Sequence, residues 1–278
     1  MGRNDAAPRP GWQAADTEDV LCCECKVPGT VRHRLDPFAV VQCPVCELVY
    51  VSPRLTGEAL QRLYDEPEYF EAGGVYGKQR RFDPAMVLQR TWSAGRLGAL
   101  AAMRPPPARL LEIGSGYGLF LKAAAEAGYL VSGVELSRTG VAHATDVLGL
   151  EVFCGQLADA PLGGPTDPKA EVICFWDTLE HVPDPLEFLR QVRLRLAPDG
   201  VFALSVPYIS SFPARVLGRR WWTLKPEQHI WHFTPDTLRL VAARAGLVVT
   251  DVVRSPIRRA NAARLDSLVA VGRMLPNG

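Results

Sequence analysis

The run Arg109 to Ile113 is apolar and strand-like, and it leads directly into Gly114-Ser115-Gly116-Tyr117-Gly118, after which a helical pattern begins. Three glycines at alternate positions between a strand and a helix leave the chain few ways to fold. The backbone there adopts positive φ or lets a ligand approach its main chain closely. The helix beyond it aims its free N–H groups into the same space. The flanking pattern agrees. Strands are expected at 109–113, 129–135, 151–154, 171–176 and 201–206, and a last pair at 247–253 and 267–271. Helices are expected from Tyr117 to Ala127 with Gly128 as the stop, from Ser137 as cap to Leu148, after Asp184-Pro185-Leu186-Glu187, and from Thr234-Pro235-Asp236 to Gly246. Pro198-Asp199-Gly200 reads as a turn before the fifth strand. Repeated β-α-β units predict an α/β fold whose parallel sheet carries helices on both faces. Ligands in such sheets bind beyond the carboxyl ends of the strands, where the strand order reverses.

A second constraint lies near the N-terminus. Five of the seven cysteines fall between positions 22 and 46, and Cys22, Cys25, Cys43 and Cys46 give the spacing C-x2-C-x17-C-x2-C. Two tight knuckles of this kind aim four sulfurs at one point, as a tetrahedral zinc site requires. Cys23 is the spare thiol. The expected unit is a zinc ribbon over 21–53, with short strands at 31–34, 38–42 and 48–51, too small to fold without its metal. Residues 1–20 are expected to be a disordered tail. Residues 54–107 read as a helical lid and linker: a helix from Thr56-Gly57-Glu58, an aromatic and glycine-rich stretch containing Tyr69 and Tyr76, a helix from Pro84 to Leu100, and a stop at Pro105-Pro106-Pro107. Residues 108–278 form the remaining domain.

Charge narrows the function classes. With 31 basic and 30 acidic residues the net charge is +1, which opposes a dedicated nucleic-acid binder. No apolar run reaches the roughly 18–20 residues that span a bilayer. Met1 to Val20 has no apolar core of a secretory signal, and the cysteine count is odd, so a reducing cytoplasm is the expected compartment. Cys154 and Cys174 read as buried free thiols.

The glycine spacing separates two cofactor chemistries. A dinucleotide fingerprint places its third glycine at the sixth position, where this chain has Leu119. Glu135 ends the second strand, placed to accept hydrogen bonds from a ribose diol. Glu112, just before the glycines, suits the cationic amino-acid end of S-adenosylmethionine.

These residues resemble the class I S-adenosylmethionine-dependent methyltransferases, over roughly Ala108 to Met274. Leu111 to Gly118 is similar to their first motif, and Val134-Glu135-Leu136-Ser137 to the acidic end of their second strand. Phe175-Trp176-Asp177-Thr178-Leu179-Glu180-His181-Val182-Pro183-Asp184-Pro185 resembles the strand-four motif of one bacterial branch. The zinc ribbon is similar to that of sugar C-methyltransferases, whose further C-terminal domain this sequence lacks. The resemblance implies a Rossmann-like seven-stranded methyltransferase sheet and a cofactor-binding set of Glu112, Gly114, Ser115, Gly116, Gly118, Glu135, Leu136, Gln156, Leu157, Trp176 and Asp177. In that set Gly114, Gly116 and Gly118 cradle the methionyl end and Glu135 takes the ribose hydroxyls. Gln156 and Leu157 flank the adenine, and Trp176 and Asp177 lie beneath the sulfonium.

Methyl transfer is an in-line displacement in which alignment supplies much of the acceleration, and a base is needed only where the acceptor loses a proton. His181, His229 and His232 are the candidate bases or substrate anchors. Trp221 and Trp222, set among arginines, together with Tyr69 and Tyr76, are candidate contacts for a flat or anionic small-molecule acceptor. O- or C-methylation is the expected reaction. A nicotinamide oxidoreductase is opposed by the glycine spacing. A zinc-ribbon RNA methyltransferase is opposed by the neutral charge and by Trp176-Asp177-Thr178-Leu179 standing where a base-methylating motif would be. A non-catalytic binding module is the third alternative.

Overall fold

The computed structural model describes residues 11–65, 95–161, 168–254 and 266–275. Tyr69 and Tyr76 lie outside these residues, as does most of the helix expected from Pro84, of which residues 95–103 are described and helical.

The N-terminal unit is built from β1 (Thr17–Glu18), β2 (Thr30–Leu35), β3 (Phe38–Gln42), β4 (Val49–Val51), β5 (Arg54–Leu55) and α1 (Gly57–Asp65). β2, β3 and β4 form an antiparallel meander. Residues 11–20, expected as part of a disordered tail, instead hold a 3₁₀ turn and β1. β1 pairs antiparallel with β5, and the backbone N–H of Val20 donates to Ser52 Oγ at 3.0 Å. Partner groups from residues 52–55 satisfy this backbone, which composition does not reveal.

The second unit contains β6 (Arg109–Ile113), α2 (Leu119–Glu126), β7 (Leu130–Glu135), α3 (Arg138–Ala142), β8 (Val152–Cys154), β9 (Ala170–Trp176), α4 (Pro185–Arg195), β10 (Leu196–Pro207), α5 (Phe212–Leu217), β11 (Trp231–His232), α6 (Pro235–Arg244), β12 (Leu247–Arg254) and β13 (Ser267–Met274). Seven strands make one sheet in the order β12-β13-β10-β9-β6-β7-β8. β6 to β10 pair in parallel, and β13 runs antiparallel between β10 and β12. Strand order reverses between β6 and β9, so the glycine turn after β6 and the loop after β9 open side by side.

Strand periodicity divides the core. Along β9, Val172, Cys174 and Trp176 face a cluster containing Leu110, Phe120 and Leu121, while Ile173 and Phe175 face the opposite cluster with Leu189, Leu204 and Val241. α4 starts as its sequence dictates. Asp184 Oδ1 accepts from the N–H groups of Leu186 and Glu187 at 2.9 and 3.0 Å, Pro185 occupies the first turn, and Leu186, Leu189 and Val192 are buried.

Three expectations are corrected. Pro198-Asp199-Gly200 does not precede the strand but lies inside β10 as an irregularity, because Leu196 is fully buried and already paired with Ala170. The helix after Ser137 does not stay α-helical, and residues 143–147 form a π-helical turn. Cys154 is exposed, since β8 is the sheet edge, whereas Cys174 is buried in the central β9.

The two units are sewn together by hydrogen bonds. β11, from the connection after β10, pairs antiparallel with β4 and extends the meander to four strands in the order β11-β4-β3-β2. One apolar cluster runs from Val40 and Tyr50 through Trp231 to Phe175 and Leu189. No helix among the described residues is long and apolar enough to cross a membrane.

Candidate functional site

Gly114, Gly116 and Gly118 all have positive φ, between +54° and +77°. Gly114 has no room for a side chain: a Cβ there would lie 2.5 Å from Thr178 Oγ1. That hydroxyl donates toward the carbonyls of Ile113 and Trp176 at 3.3 and 3.2 Å, tying the two loops of the switch point together. The turn also carries Ser115, which is buried with an unpartnered hydroxyl.

Glu135 closes β7 beside this turn. Its Oε2 accepts from the Gly116 N–H at 2.7 Å and its Oε1 from the Ser137 N–H at 2.8 Å. Burial pushes the carboxyl up, and the Ser137 and Gly116 N–H groups pull against it. Each oxygen keeps a second lone pair, so the group can still accept two hydroxyls. Gly140 seats the next helix against the turn: a Cβ there would meet the Gly116 carbonyl oxygen at 2.8 Å.

On the other side of the turn lies a set of buried polar atoms that local pairing does not satisfy. They are Glu112 Oε2, Trp176 Nε1 and Arg96 Nε. Burial raises the Glu112 carboxyl well above the usual range, with Arg96 opposing and Glu135 adding to the shift. The Arg96 guanidinium sits 4.4 Å from the Trp176 ring centroid and donates to Asp177 Oδ2 and Ser205 Oγ, each at 3.2 Å. Asp177 itself has φ +52°, uncommon for a residue with a side chain. Sequence reasoning passed over Arg96. It stands 18 positions before Gly114 in an unremarkable helical run, and only packing brings it to the switch point.

A second cluster follows β9. Glu180 is buried with both carboxylate oxygens unpartnered, and burial, then the charge of Asp177, pushes its carboxyl well up. His181 and His229 meet edge to face, ring centroids 4.7 Å apart. Ligand-type atoms of Glu180, His181 and His229 lie within 4.8 Å of one another, a grouping suited to proton transfer or to a cation. His229 Nδ1 lies 2.7 Å from the Thr223 carbonyl oxygen. As the donor to that carbonyl it leaves Nε2 as the free basic nitrogen. Burial lowers His181 to about 4 and His229 well below its ordinary value, so both rings are neutral at pH 7.

The remaining candidates are dispersed. His232 is buried in β11, paired with Val49 of the N-terminal unit, with both ring nitrogens unpartnered. Trp221 is buried and donates its indole N–H to Asp266 Oδ2 at 2.8 Å, so it faces the core. Trp222 is 46% exposed. Leu136 and Gln156 are exposed beside β7 and β8, and Leu157 is buried with its carbonyl accepting from Arg195 at 2.6 Å.

The four cysteines Cys22, Cys25, Cys43 and Cys46 converge, all four sulfurs lying within 4.8 Å of one another. The two knuckles are built alike. Cys22 N–H donates to Val27 O and Lys26 N–H to Cys22 O, while Cys43 N–H donates to Leu48 O and Glu47 N–H to Cys43 O. Lys26 and Glu47 both take positive φ, and backbone N–H groups of Cys25 and Val45 point at the sulfurs of Cys22 and Cys43. A thiolate set receiving N–H donors is the chemistry of a bound soft cation. Cys23 is buried and is not one of the four convergent sulfurs, and its thiol hydrogen-bonds the Cys22 sulfur.

Comparison with known proteins agrees with this geometry. A family model described as a methyltransferase domain matches residues 86–252. A ubiquinone biosynthesis O-methyltransferase of Caulobacter sp. (strain K31) is 32% identical over 148 residues, 49% of this chain and 57% of that protein. The corresponding protein of Haemophilus ducreyi is 32% identical over 105 residues, 35% of this chain and 44% of its own. The chain thus spans about half the length of the curated relatives it matches. Among solved structures, a magnesium protoporphyrin IX methyltransferase from Synechocystis PCC 6803 superposes with a TM-score of 0.59 at 16% identity, covering 78% of this chain and all of that one. An S-adenosylmethionine-dependent methyltransferase from Clostridium acetobutylicum gives 0.54 at 12% identity, covering 67% and 92%.

Proposed function

Because this chain belongs to the methyltransferase-domain family, we propose that it is an S-adenosylmethionine-dependent enzyme that methylates a hydroxyl oxygen of a small-molecule acceptor, with His229 as the general base. The observation that carries the reading is the His229 ring beside His181 and Glu180, at the carboxyl end of β9. The names of the O-methyltransferase relatives support an oxygen acceptor.

S-adenosylmethionine, when bound, supplies an electrophilic methyl group on a sulfonium. The chain's residues divide the remaining work. The main chain at Gly114, Gly116 and Gly118 would cradle the methionyl end of the cofactor, and Glu135 would accept the ribose hydroxyls. Arg96 and Glu112 complement a zwitterionic amino acid, a cation for its carboxylate and an acid beneath its ammonium. Gln156 and Leu157 border the adenine, and Trp176 and Asp177 border the sulfonium. His229 Nε2 takes the acceptor's hydroxyl proton, and the oxygen would then be free to accept the methyl carbon in line, an O–CH3 bond forming as the CH3–S bond breaks and S-adenosylhomocysteine leaves. Holding Nδ1–H on the Thr223 carbonyl orients the ring for this, and a neutral imidazole at pH 7 is the form that accepts a proton. His181 and Glu180 position it. The Cys22, Cys25, Cys43 and Cys46 set holds a structural zinc ion.

The test is a transfer assay with labelled S-adenosylmethionine against a panel of phenols and aliphatic alcohols, using wild type, His229→Gln and His181→Gln. A general base contributes about 10²- to 10⁴-fold. A loss of that size in kcat for His229→Gln, with S-adenosylhomocysteine affinity intact, supports the reading. Unchanged turnover in both variants leaves alignment alone as the source of rate and removes the base. Zinc is read separately, by metal analysis of the purified protein.

A further inference from the structure

We propose that the exposed face of residues 212–222 is a docking surface for an anionic lipid membrane, set beside the acceptor site. The segment comprises α5 and the 3₁₀ turn Gly218–Arg220. Its inward side is firmly seated: Pro213 and Ala214 are buried, Ser211 caps the helix, and Trp221 is held by Asp266. Its outward side is apolar where a soluble surface would be polar. Phe212 is 77% exposed and Val216 64%, and Leu217 and Trp222 are also exposed. Phe212 and Val216, four residues apart, share one helical face.

The charge carried by the segment itself is positive, and Asp36 and Glu227 line the cavity that Arg219, Arg220 and Trp222 share. Arg215, Arg219 and Arg220 are exposed, and among the described residues none forms an ion pair with a carboxylate. The sequence holds no Asp or Glu between Asp199 and Glu227, whereas it holds four cations there. In a chain of net charge +1 this is a local excess. Exposed apolar side chains interleaved along the chain with arginines match the boundary of an anionic bilayer, where the former enter the acyl region and the latter meet the headgroups. A second copy of the chain would bring like charges together. Single-stranded RNA would gain from aromatic faces and phosphate contacts but nothing from Val216 or Leu217.

The position gives the surface a purpose. The same segment runs on to Thr223, whose carbonyl holds His229 Nδ1. A chain docked through Phe212 and Val216 therefore presents its acceptor residues next to the lipid, which fits an acceptor that partitions into membranes. The docking does not depend on which atom is methylated or on the role of His229.

The experiment is co-sedimentation of the full chain with vesicles of phosphatidylcholine alone and of phosphatidylcholine mixed with phosphatidylglycerol, at low and high salt. Two triple variants accompany it, Phe212→Ser/Val216→Ser/Leu217→Ser and Arg215→Gln/Arg219→Gln/Arg220→Gln. S-adenosylhomocysteine titration reports whether each variant is folded. Wild type is expected to partition onto the anionic vesicles only, and less at high salt. Each cation contributes about fivefold near such a surface, so the arginine variant should bind about a hundredfold more weakly. The serine variant should lose binding as well. Failure of wild type to sediment with anionic vesicles at low salt overturns the proposal. So does undiminished sedimentation of a folded serine variant. Tight RNA binding without vesicle binding, or a dimer dissolved by the serine substitutions, would reassign the surface and overturn it equally.

Discussion

Trp231 donates its indole N–H to the Val182 carbonyl across 2.9 Å, while its backbone pairs in register with Tyr50 of the N-terminal meander. One residue thus joins the four-cysteine unit to the loop that follows β9. The Glu180 carbonyl accepts from the N–H groups of Ile230 and Trp231, and Arg54 donates to the Pro183 carbonyl at 2.8 Å, so the seam is continuous. Chelating the metal, or Cys43→Ser, should therefore loosen more than the ribbon. Amide hydrogen exchange at Trp231 and His232 is expected to accelerate, while S-adenosylhomocysteine affinity, for which Gly114–Gly118 is the proposed seat, stays unchanged. Trp231→Phe leaves the Val182 carbonyl without this donor and should cost about 1–2 kcal/mol in denaturant unfolding.

Gly114→Ala should be destabilising for two separable reasons. Left-handed backbone costs a residue with a Cβ about 1–2 kcal/mol, and the new methyl group collides with Thr178. Adding Thr178→Ala is expected to recover the steric part and leave the backbone part. Denaturant midpoints of the two single variants and the double variant separate them.

Glu135→Gln keeps the shape of the side chain but replaces a charged acceptor with a neutral amide. Charge-assisted hydrogen bonds to the ribose are worth about 1.5–3 kcal/mol, so calorimetry should record an S-adenosylhomocysteine affinity about tenfold to a hundredfold weaker.

The buried His232 should make the fold sensitive to acid. Burial lowers this ring to about 3, against 6.5 in the unfolded chain. Between those values the unfolded chain binds a proton that the folded chain does not, so stability falls as pH falls through that window. His232→Phe removes this contribution. The stability of wild type relative to the variant should decline by up to about 1.4 kcal/mol per pH unit between pH 6 and 4. Parallel urea titrations at several pH values measure it, and equal slopes would contradict it.

Much of the architecture was legible in residue order because local signals carry it. The glycines at 114, 116 and 118 allowed positive φ, the nearly all-apolar run at 171–176 marked a buried parallel strand, and Asp184-Pro185 started a helix where it stands. The two C-x2-C pairs announced a four-sulfur cluster, because each knuckle is a short-range object.

Tertiary structure decided what depends on chain segments far apart in sequence. No local pattern around Arg96 announces that it lies over Trp176, 80 positions later. Nothing in the pattern at 231–232 marks a strand that completes the ribbon's sheet, or separates His229, turned toward His181, from His232, locked against Val49. Local sequence specifies backbone conformation through φ preferences, caps and hydrophobic period. Which buried polar groups meet depends instead on how the sheet and the ribbon pack, and that is a property of the whole chain.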